Sequence, residues 1–344
     1  MNFSKILSLY DYKFPPELIA QAPAHPRDSA QLLVYDRKAK KIQHKIFSEI
    51  VDLLPENSVL ILNQTKVVPA RLEVTKPTGG KARLLYISHN ERFLVVLSDR
   101  TLPIGEKISL NKTVSFSVVK RDGQFYHLKP SFKVGSTFKI LDKFGQTPLP
   151  PYIKHSPLKG RRLKDEYQTV FAKQQGSVAA PTASLHFTKP LLKKILARGI
   201  KIKYVTLHVN LGTFASLTEE QMKSGKLHSE YYYINKSVAK FLNIAKKNKQ
   251  PIVAVGTTVV RTLESATDKH GQLTKLSGDT TLFLTENSKL HFVDHLITNF
   301  HVPKSSLLML VSAFVDRKKL LGLYKLAVGK KYRLFSFGDA MYIK

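Results

Sequence analysis

The stretch that decides the fold is LITNFHVPKSSLLMLVSAF, residues 296–314, in which a polar segment separates two apolar runs. Its first residues are typical of the end of a buried strand, and Pro303 prevents a following helix from extending backwards. Ser305 or Ser306 is suited to cap a helix over residues 307–315. That helix is apolar on nearly every side, so we predict that it is buried.

The polar segment between the two runs predicts one wall of a binding site. It contains Asn299, His301, Lys304 and Ser305. The N-terminus of a buried helix presents backbone N–H groups and a positive dipole end, which favour an anionic ligand. An ordinary strand-to-helix connection with a good cap explains the same pattern, and this alternative stays open.

A second stretch, VAVGTTVVRTLES at residues 253–265, repeats the order of apolar strand, glycine turn and helix. Thr257 or Thr258 is suited to cap the helix. Arg261 lies one turn further on, where it can bind a carboxylate held at the start of the helix. A surface pair with Glu264, three residues later, is an equally open interpretation of this arginine.

The segment VAAPTASLHF, residues 178–187, places small residues around Pro181 and Thr182 and ends near His186. Small side chains let a backbone approach a ligand closely, which makes these three residues candidates for a binding site. Small side chains also fill tight cores, and that explanation is at least as consistent with the sequence.

The segment LHSEYYYI, residues 227–234, sets His228 and Glu230 before a run of tyrosines. A carboxylate beside an imidazole is suited to general acid–base catalysis. A solvated strand end followed by aromatic packing is the alternative.

The periodicity of the chain changes twice, which predicts two domains. Over residues 71–150, short alternating runs separated by turn residues predict a small antiparallel β-barrel or sandwich, in which TFKIL (137–141) is one of the strands. Beyond it, strands alternate with helices, which indicates a layered α/β sheet with ligands beyond the carboxyl ends of its strands. We therefore predict a discontinuous α/β domain, residues 1–70 plus 151–344, with the barrel inserted.

The charge of the chain indicates a polyanionic partner. Lys and Arg total 55 against 25 Asp and Glu, which gives a formal net charge of +30. A lysine-rich genome explains such a charge without any partner, and charge alone does not identify the kind of nucleic acid. The basic residues interleave with folded segments and indicate a charged face; they cluster at 159–164, 193–203, 246–249, 317–319 and 330–333.

Several classes of protein are disfavoured by what the sequence lacks. There is no cysteine, which excludes disulfides, thiolate catalysis and cysteine-bound zinc. No apolar run is long enough to span a membrane, and the first residues lack the pattern of a secretory signal, so we expect a cytosolic protein. His291, Asp294 and His295 match no common zinc spacing, and no metal is predicted. A standard Rossmann methyltransferase, NTPase or serine hydrolase is disfavoured because its motifs are absent.

At these residues the sequence closely resembles the S-adenosylmethionine:tRNA ribosyltransferase-isomerases of queuosine biosynthesis. The resemblance covers nearly the full chain in order. The matching stretches are FPPELIAQ, VVPARL, GGK, PPYI, YQTVFA, VAAPTASLHF, VTLHV, GTF, HSEYY, VGTTVVRTLES, LITNFHVPKSSLLMLVSAF and FSFGDAM.

The resemblance implies that the ribosyl group of S-adenosylmethionine, a co-substrate, is transferred to 7-aminomethyl-7-deazaguanine in the wobble position of tRNAs with GUN-type anticodons. The ribose rearranges to an epoxycyclopentanediol, giving epoxyqueuosine and releasing adenine and methionine. It implies no permanently bound cofactor and no metal, and we expect a cytoplasmic monomer. The family's fold, an α/β domain interrupted by a β-barrel, agrees with the division near residues 71 and 150.

The residues quoted above suit this reaction as hypotheses. A sulfonium acidifies the neighbouring C5′–H, so a base can begin the rearrangement while an acid assists the departure of adenine. Glu230, His228 and His301 are the candidate catalytic residues. Arg261 with Thr257 and Thr258 is expected to bind the methionine carboxylate. The remaining candidates for binding S-adenosylmethionine are Asn299, Ser305, Pro181, Thr182 and His186.

The chain also departs from the family's usual residues. A serine and an arginine are usual where Ala30 and Gln31 stand, and a glycine where Ser184 stands. Two further hypotheses therefore stay open: a diverged paralogue that acts on another nucleoside, and a catalytically inactive RNA-binding protein. Other departures are Gln64, Lys66, the pair Asn210-Leu211 and the segment 286–289.

Overall fold

The structure, a computed structural model, describes residues 2–210 and 217–344. Within these ranges the strands are β1 (Gln31–Asp36), β2 (Lys41–Ile46), β3 (Val59–Asn63), β4 (Thr65–Val67), β5 (Arg71–Thr75), β6 (Lys81–His89), β7 (Leu94–Ser98), β8 (Lys107–Ser109), β9 (Ser115–Asp122), β10 (Phe125–Pro130), β11 (Gln174–Ser177), β12 (Lys201–Leu207), β13 (Lys226–Tyr233), β14 (Ile252–Val255), β15 (Ser277–Leu282), β16 (His295–Asn299) and β17 (Ala340–Ile343).

The helices in the same ranges connect these strands and cover the large sheet. They are α1 (Phe3–Ser8), α2 (Ile50–Leu53), α3 (Thr137–Phe144), α4 (Gly160–Glu166), α5 (Lys189–Ala197), α6 (Glu219–Ser224), α7 (Lys236–Lys247), α8 (Thr257–Ala266), α9 (Ser306–Val311) and α10 (Arg317–Gly329). None of the helices in the described ranges is both long and apolar enough to cross a membrane.

Nine strands form one mixed sheet in the order β15-β13-β12-β3-β14-β16-β17-β1-β2. Its centre is parallel: β12, β3, β14 and β16 run in one direction. Strands β3 and β14 are buried along their whole length, as their continuous apolar sequences predict for strands covered on both faces. The carboxyl ends of the four parallel strands therefore meet at one edge of the sheet.

Helices cover both faces of this sheet, which confirms the predicted layered α/β fold. Alternate residues of β3 show the two layers: Ile61 contacts a core that includes residues of α7 to α10, and Leu60 and Leu62 contact a core with α2 and α5. This alternation follows from the two-residue period of a strand.

The inserted unit is a closed barrel of six antiparallel strands in the order β10-β7-β6-β5-β8-β9. The prediction of a barrel is confirmed, but TFKIL is not one of its strands. It lies in α3, because Thr137, Leu141 and Phe144 recur at helical spacing and cover apolar side chains of the barrel. The domain boundaries at residues 71 and 150 remain a prediction.

Two local predictions near the site were wrong in extent. The helix predicted over 307–315 spans only Ser306–Val311, after which Ala313 and Phe314 donate to carbonyls three residues back and tighten the chain into a turn. The apolar composition of residues 283–285 predicts a strand there, but the strand lies earlier, at β15, because hydrogen bonding to β13 ends at Leu282. Leu284 then contributes to the core from a connecting segment.

Candidate functional site

A cavity of about 430 Å³ opens at the carboxyl ends of β14 and β16, where the topology of the sheet predicts a ligand. The connections after both strands line it. Among the side chains predicted for the site, the cavity is lined by Pro181, Thr182, Thr257, Thr258, Asn299, His301 and Ser305.

The turn into α8 forms one wall of this cavity. The helix begins at Thr257 directly after Gly256, whose φ of 88° is a left-handed conformation that glycine adopts without steric cost. The prediction that Thr257 or Thr258 caps the helix was wrong, because Gly256 occupies the N-cap position and no side chain caps it. The Thr258 hydroxyl instead accepts a hydrogen bond of 3.2 Å from Asn63 Nδ2.

Asn63 is a residue that the sequence did not single out. It is fully buried at the end of β3, and Nδ2 also donates to the Leu207 carbonyl at 3.0 Å. Its Oδ1 accepts from the backbone N–H groups of Thr65 and Leu207 at 3.1 and 3.2 Å. One amide therefore joins β3, β12 and the start of α8. In the sequence, the position of Asn63 at the end of an apolar run is the signal that could have identified it.

Another wall of the cavity is supported by a hydrogen-bonded group that contains three of the predicted residues, Thr182, Asn299 and His186. Thr182 Oγ1 donates to Asn299 Oδ1 at 2.8 Å, and Asn299 Nδ2 lies 3.4 Å from His186 Nε2. His186 is buried against the ring of Phe47, at 4.8 Å between centroids. Burial lowers the pKa of His186 to about 3, so its imidazole is neutral and its Nε2 accepts from Asn299.

His301 lies in the connection between β16 and α9. Its Nε2 is hydrogen bonded to Thr298 Oγ1 at 2.8 Å, while Tyr12 and Tyr324 bind its backbone carbonyl and N–H. Burial lowers the pKa of His301 to about 4. The ring is therefore neutral near pH 7, a state that accepts a proton and does not supply one.

Ser305 is the N-cap of α9, as predicted. Its Oγ accepts from the backbone N–H of Leu308 at 3.2 Å and donates to the carbonyl of Val302 at 2.6 Å. The hydroxyl thus satisfies one of the helix's own N-terminal donors. It contributes to the wall of the cavity mainly by fixing where the helix begins.

Glu230 and Arg261 lie in a smaller hollow of about 20 Å³ that shares Leu217 and Leu307 with the cavity. Arg261 Nη1 forms an ion pair with Glu230 Oε2, and both side chains are buried. Nε and Nη2 of Arg261 donate to the carbonyls of Leu282 and Thr280. Glu230 Oε1 accepts from the backbone N–H of Asn210 at 2.9 Å.

The partner of Arg261 shows that the interpretation of this arginine as a surface pair with Glu264 was wrong, while its binding of a ligand carboxylate stays a prediction. Glu264 is committed elsewhere, since its two oxygens accept from the backbone N–H groups of three consecutive residues, 291–293. His228, two residues before Glu230 on β13, lines the same small hollow. Except for His186, which lines neither, the sequence-predicted residues therefore divide between two adjoining hollows.

Two of the residues that depart from the family's usual ones, Gln31 and Gln64, have hydrogen-bond partners. Gln31 donates from its backbone N–H to Asp339 Oδ1 at 3.2 Å, and Gln64 Nε2 donates to Thr206 Oγ1 at 3.4 Å. Ser184 is fully buried, and its hydroxyl has no partner within the described part of the chain. Leu211 and the GTF stretch at 212–214 lie outside the described residues.

The HxxDH spacing of His291, Asp294 and His295 does not form a cluster of ligands. Asp294 accepts from Lys246 Nζ at 2.7 Å and from the backbone N–H of Ile252, while His295 lies against Tyr342. Across residues 2–210 and 217–344, no group of three or more His, Cys, Asp or Glu side chains is placed to hold a metal ion.

The mouth of the cavity contains an aromatic pair that sequence reasoning left without a role. Tyr152 and Phe335 lie 5.0 Å apart between ring centroids, and Tyr152 Oη is 2.6 Å from Ser336 Oγ. Phe335 has a φ of 69°, a strained conformation for an aromatic residue. Both residues fall in stretches that carry the family resemblance, PPYI and FSFGDAM, which was the available signal.

The chain is similar to known proteins over its full length. A family model described as queuosine biosynthesis protein matches residues 7–343. The S-adenosylmethionine:tRNA ribosyltransferase-isomerases of Fusobacterium nucleatum and Sulfurihydrogenibium sp. are each 45% identical to it, over 99% and 98% of this chain and 98% and 99% of their own. A solved structure, S-adenosylmethionine tRNA ribosyltransferase from Thermotoga maritima, is 32% identical with a TM-score of 0.57, covering 98% of this chain and all of that one.

Proposed function

The chain belongs to the queuosine biosynthesis protein family, and we propose that it is an S-adenosylmethionine:tRNA ribosyltransferase-isomerase. It transfers the ribosyl group of S-adenosylmethionine to 7-aminomethyl-7-deazaguanine at the tRNA wobble position and isomerises it. The products are epoxyqueuosine in the tRNA, adenine and methionine. The observation that carries the proposal is the full-length similarity at 42–45% identity, which includes both the barrel and the sheet.

The cavity at the carboxyl ends of the parallel strands is suited to S-adenosylmethionine. Its 430 Å³ lies within the range of small-molecule sites, and apolar surfaces alternate with a few hydroxyl and amide groups. We assign Thr257 and Thr258, with Arg261, to the methionine carboxylate of this co-substrate, and Thr182 and Asn299 to hydrogen bonds with its hydroxyl groups and base edge. Pro181, His186 and Ser305 support these groups by shaping the wall.

We propose two candidate groups for accepting the proton from C5′. The carboxylate of Glu230 lies in the hollow beside the cavity, with His228 on the same strand. The imidazole of His301 lies in the cavity itself and is neutral at physiological pH. The carbanion beside the sulfonium drives the rearrangement of the ribose, in which the bond to adenine breaks and adenine leaves with a proton from the acid. The aminomethyl nitrogen of the acceptor base forms the new bond to the ribosyl carbon and loses a proton, and methionine leaves with the electron pair of the C5′–S bond as the epoxide closes. We assign the base to Glu230 or His301 and the acid to His228.

Arg261 has a role that depends on Glu230. We propose that its guanidinium attracts the methionine carboxylate, which would then share the arginine with Glu230. Binding of the co-substrate and positioning of the carboxylate base are coupled in this arrangement. A carboxylate held by a buried arginine has a fixed orientation, which favours a proton transfer that depends on geometry.

The tRNA substrate, a GUN-type anticodon, a monomeric state and a cytoplasmic location complete the proposal. The formal charge of +30 supports a polyanionic substrate. No permanently bound cofactor is required, because S-adenosylmethionine supplies both the transferred group and its leaving group.

The test is to incubate the purified protein with S-adenosylmethionine and tRNA bearing the aminomethyl-deazaguanine base, then to measure adenine release and nucleoside mass. We expect adenine and epoxyqueuosine in equal amounts. Glu230→Gln is expected to lower kcat by about 10²- to 10⁴-fold if Glu230 transfers the proton, and Glu91→Gln, at an exposed position between β6 and β7, is the matched control. Tight tRNA binding without either product would favour a different acceptor or a protein that only binds RNA.

A further inference from the structure

A groove of about 920 Å³ lies where the barrel joins the rest of the chain. One side is formed by the start of β5 and the end of α3, and the other by the first turn of α4 and the proline-rich segment before it. Arg71, Asp142, Pro151, Lys159, Arg161 and Lys164 are among its lining residues.

The floor of the groove is preformed. Arg71 and Gln146 exchange two backbone hydrogen bonds, of 3.1 and 2.8 Å, which tie β5 to the segment after α3. Gly145 approaches Pro69 so closely that a Cβ at that position would lie 1.8 Å from the Pro69 carbonyl oxygen. The side of the groove formed by β5 and the end of α3 is therefore held together by backbone contacts and not by mobile side chains.

The lining of the groove carries positive charge that its internal ion pairs do not neutralise. Lys164 Nζ pairs with Asp142 at 2.9 Å, and the exposed Arg161 lies 3.8 Å from Asp165. Lys159 is exposed and has no acidic partner in the described ranges. Lys159, Arg161 and Lys164 of the segment KGRRLK, one of several basic clusters in the sequence, thus contribute their charges to a concave surface. A concave surface with this charge favours a phosphate backbone.

The groove adjoins the cavity of the proposed active site. Pro151 lines both, and Tyr152 follows it into the mouth of the cavity, where its ring lies against Phe335. An enzyme that modifies a base must take that base out of its stack, and aromatic rings stabilise an unstacked base. A nucleic acid held in the groove can pass one base over Pro151 into the cavity.

We propose that this groove binds the sugar–phosphate backbone of the anticodon loop and delivers the reacting base past Pro151 and Tyr152. The inference rests on the proposed function for the identity of the RNA. Lys159 and Arg161 contact phosphates and position the loop, while Tyr152 contacts the unstacked base. Phosphate contacts of this kind set affinity and register and do not read sequence.

The test uses the full-length protein with both cations of the groove reversed, Lys159→Glu with Arg161→Glu. Two variants serve as controls: Lys159→Arg with Arg161→Lys, which keeps the charge, and Lys193→Glu with Lys194→Glu, which makes the same charge change on the exposed face of α5. Binding of unmodified tRNA is measured by fluorescence anisotropy over a range of salt concentrations. KM values for tRNA and for S-adenosylmethionine are then measured with the modified tRNA.

We expect the groove variant to weaken tRNA binding at least about tenfold and to reduce the slope of log K against log salt by about 2, one unit for each lost phosphate contact. Its KM for tRNA should rise while its KM for S-adenosylmethionine stays within about twofold, which a misfolded protein would not show. Binding equal to that of the wild type, or an equal loss in the α5 variant, would overturn the proposal.

The outcomes separate this inference from the proposed function. Product formation by the wild type with an unchanged KM for tRNA in the groove variant would refute the docking surface alone. Binding that depends on Lys159 and Arg161, in a protein that releases no adenine, would refute the function alone.

Discussion

Arg261 on α8 and Glu230 on β13 form a buried ion pair across 31 positions of sequence. The pair links the helix that borders the main cavity to an edge region of the sheet. Because both side chains are almost wholly buried, neither charge is compensated by water, and each depends on the other.

Arg261→Met should lower the free energy of unfolding by about 3–5 kcal/mol, because it leaves the Glu230 carboxylate buried without its partner. The double variant Arg261→Met with Glu230→Gln should recover part of that loss. Urea unfolding of the two single variants and the double variant measures the coupling. Additive losses would mean that the two side chains contribute independently, contrary to the observed contact.

Asn63→Ala should destabilise the protein by at least about 2 kcal/mol, because it leaves buried backbone groups of Leu207 and Thr65 without partners. It also removes the hydrogen bond to Thr258, so the KM for S-adenosylmethionine should rise. Gln64→Ala is the matched control at the next, partly exposed position, and a small effect is expected there. Equal effects of the two substitutions on KM would contradict the positioning role of Asn63.

The stability of the protein should fall as the pH is lowered from about 6.5 to about 4. Burial lowers the pKa of His186 to about 3 and those of His295 and His301 to about 4, whereas the unfolded chain takes up these protons near pH 6.5. The folded state binds fewer protons in this window, so its stability is complete above pH 6.5 and is lost towards pH 4.

Denaturant unfolding of the wild type and of His186→Asn between pH 4 and 8 checks this dependence. The substitution should reduce the loss of unfolding free energy at low pH by up to about 3 kcal/mol at pH 4, which follows from 1.36 kcal/mol for each pKa unit. A variant with the same pH dependence as the wild type would show that His186 does not contribute to it.

Gly256→Ala should destabilise the protein by about 1–2 kcal/mol, because Gly256 has a φ of 88° and an alanine there is strained. The cause is the backbone alone, since an added Cβ would meet its nearest atoms at 3.7 Å. Gly322→Ala, inside α10 with nothing within 4 Å of the added Cβ, is the opposite control and should stabilise by about 0.5–1 kcal/mol. Differential scanning calorimetry of both variants tests whether the first substitution destabilises the protein and the second stabilises it.

The sequence predicted much of the fold because the relevant signals are local. Ser305 caps α9 as expected, since a cap depends on backbone groups two or three residues away. The sequence of TFKIL predicts a strand, but an apolar run this short does not distinguish the two-residue period of a strand from the period of a helix. Packing against the barrel decides for the helix.

The sequence by itself determined the family resemblance, the strand–turn–helix units and the glycine turn before Thr257, all of which depend on residues that are neighbours in the chain. Only the tertiary structure decided that Arg261 pairs with Glu230 and not with Glu264. It also decided that Asn63 is hydrogen bonded to Thr258 in the cavity wall, and that Pro151 lines both the groove and the cavity. These contacts join residues distant in sequence. Their formation depends on the order of strands in the sheet and on backbone contacts at the barrel, which no local pattern specifies.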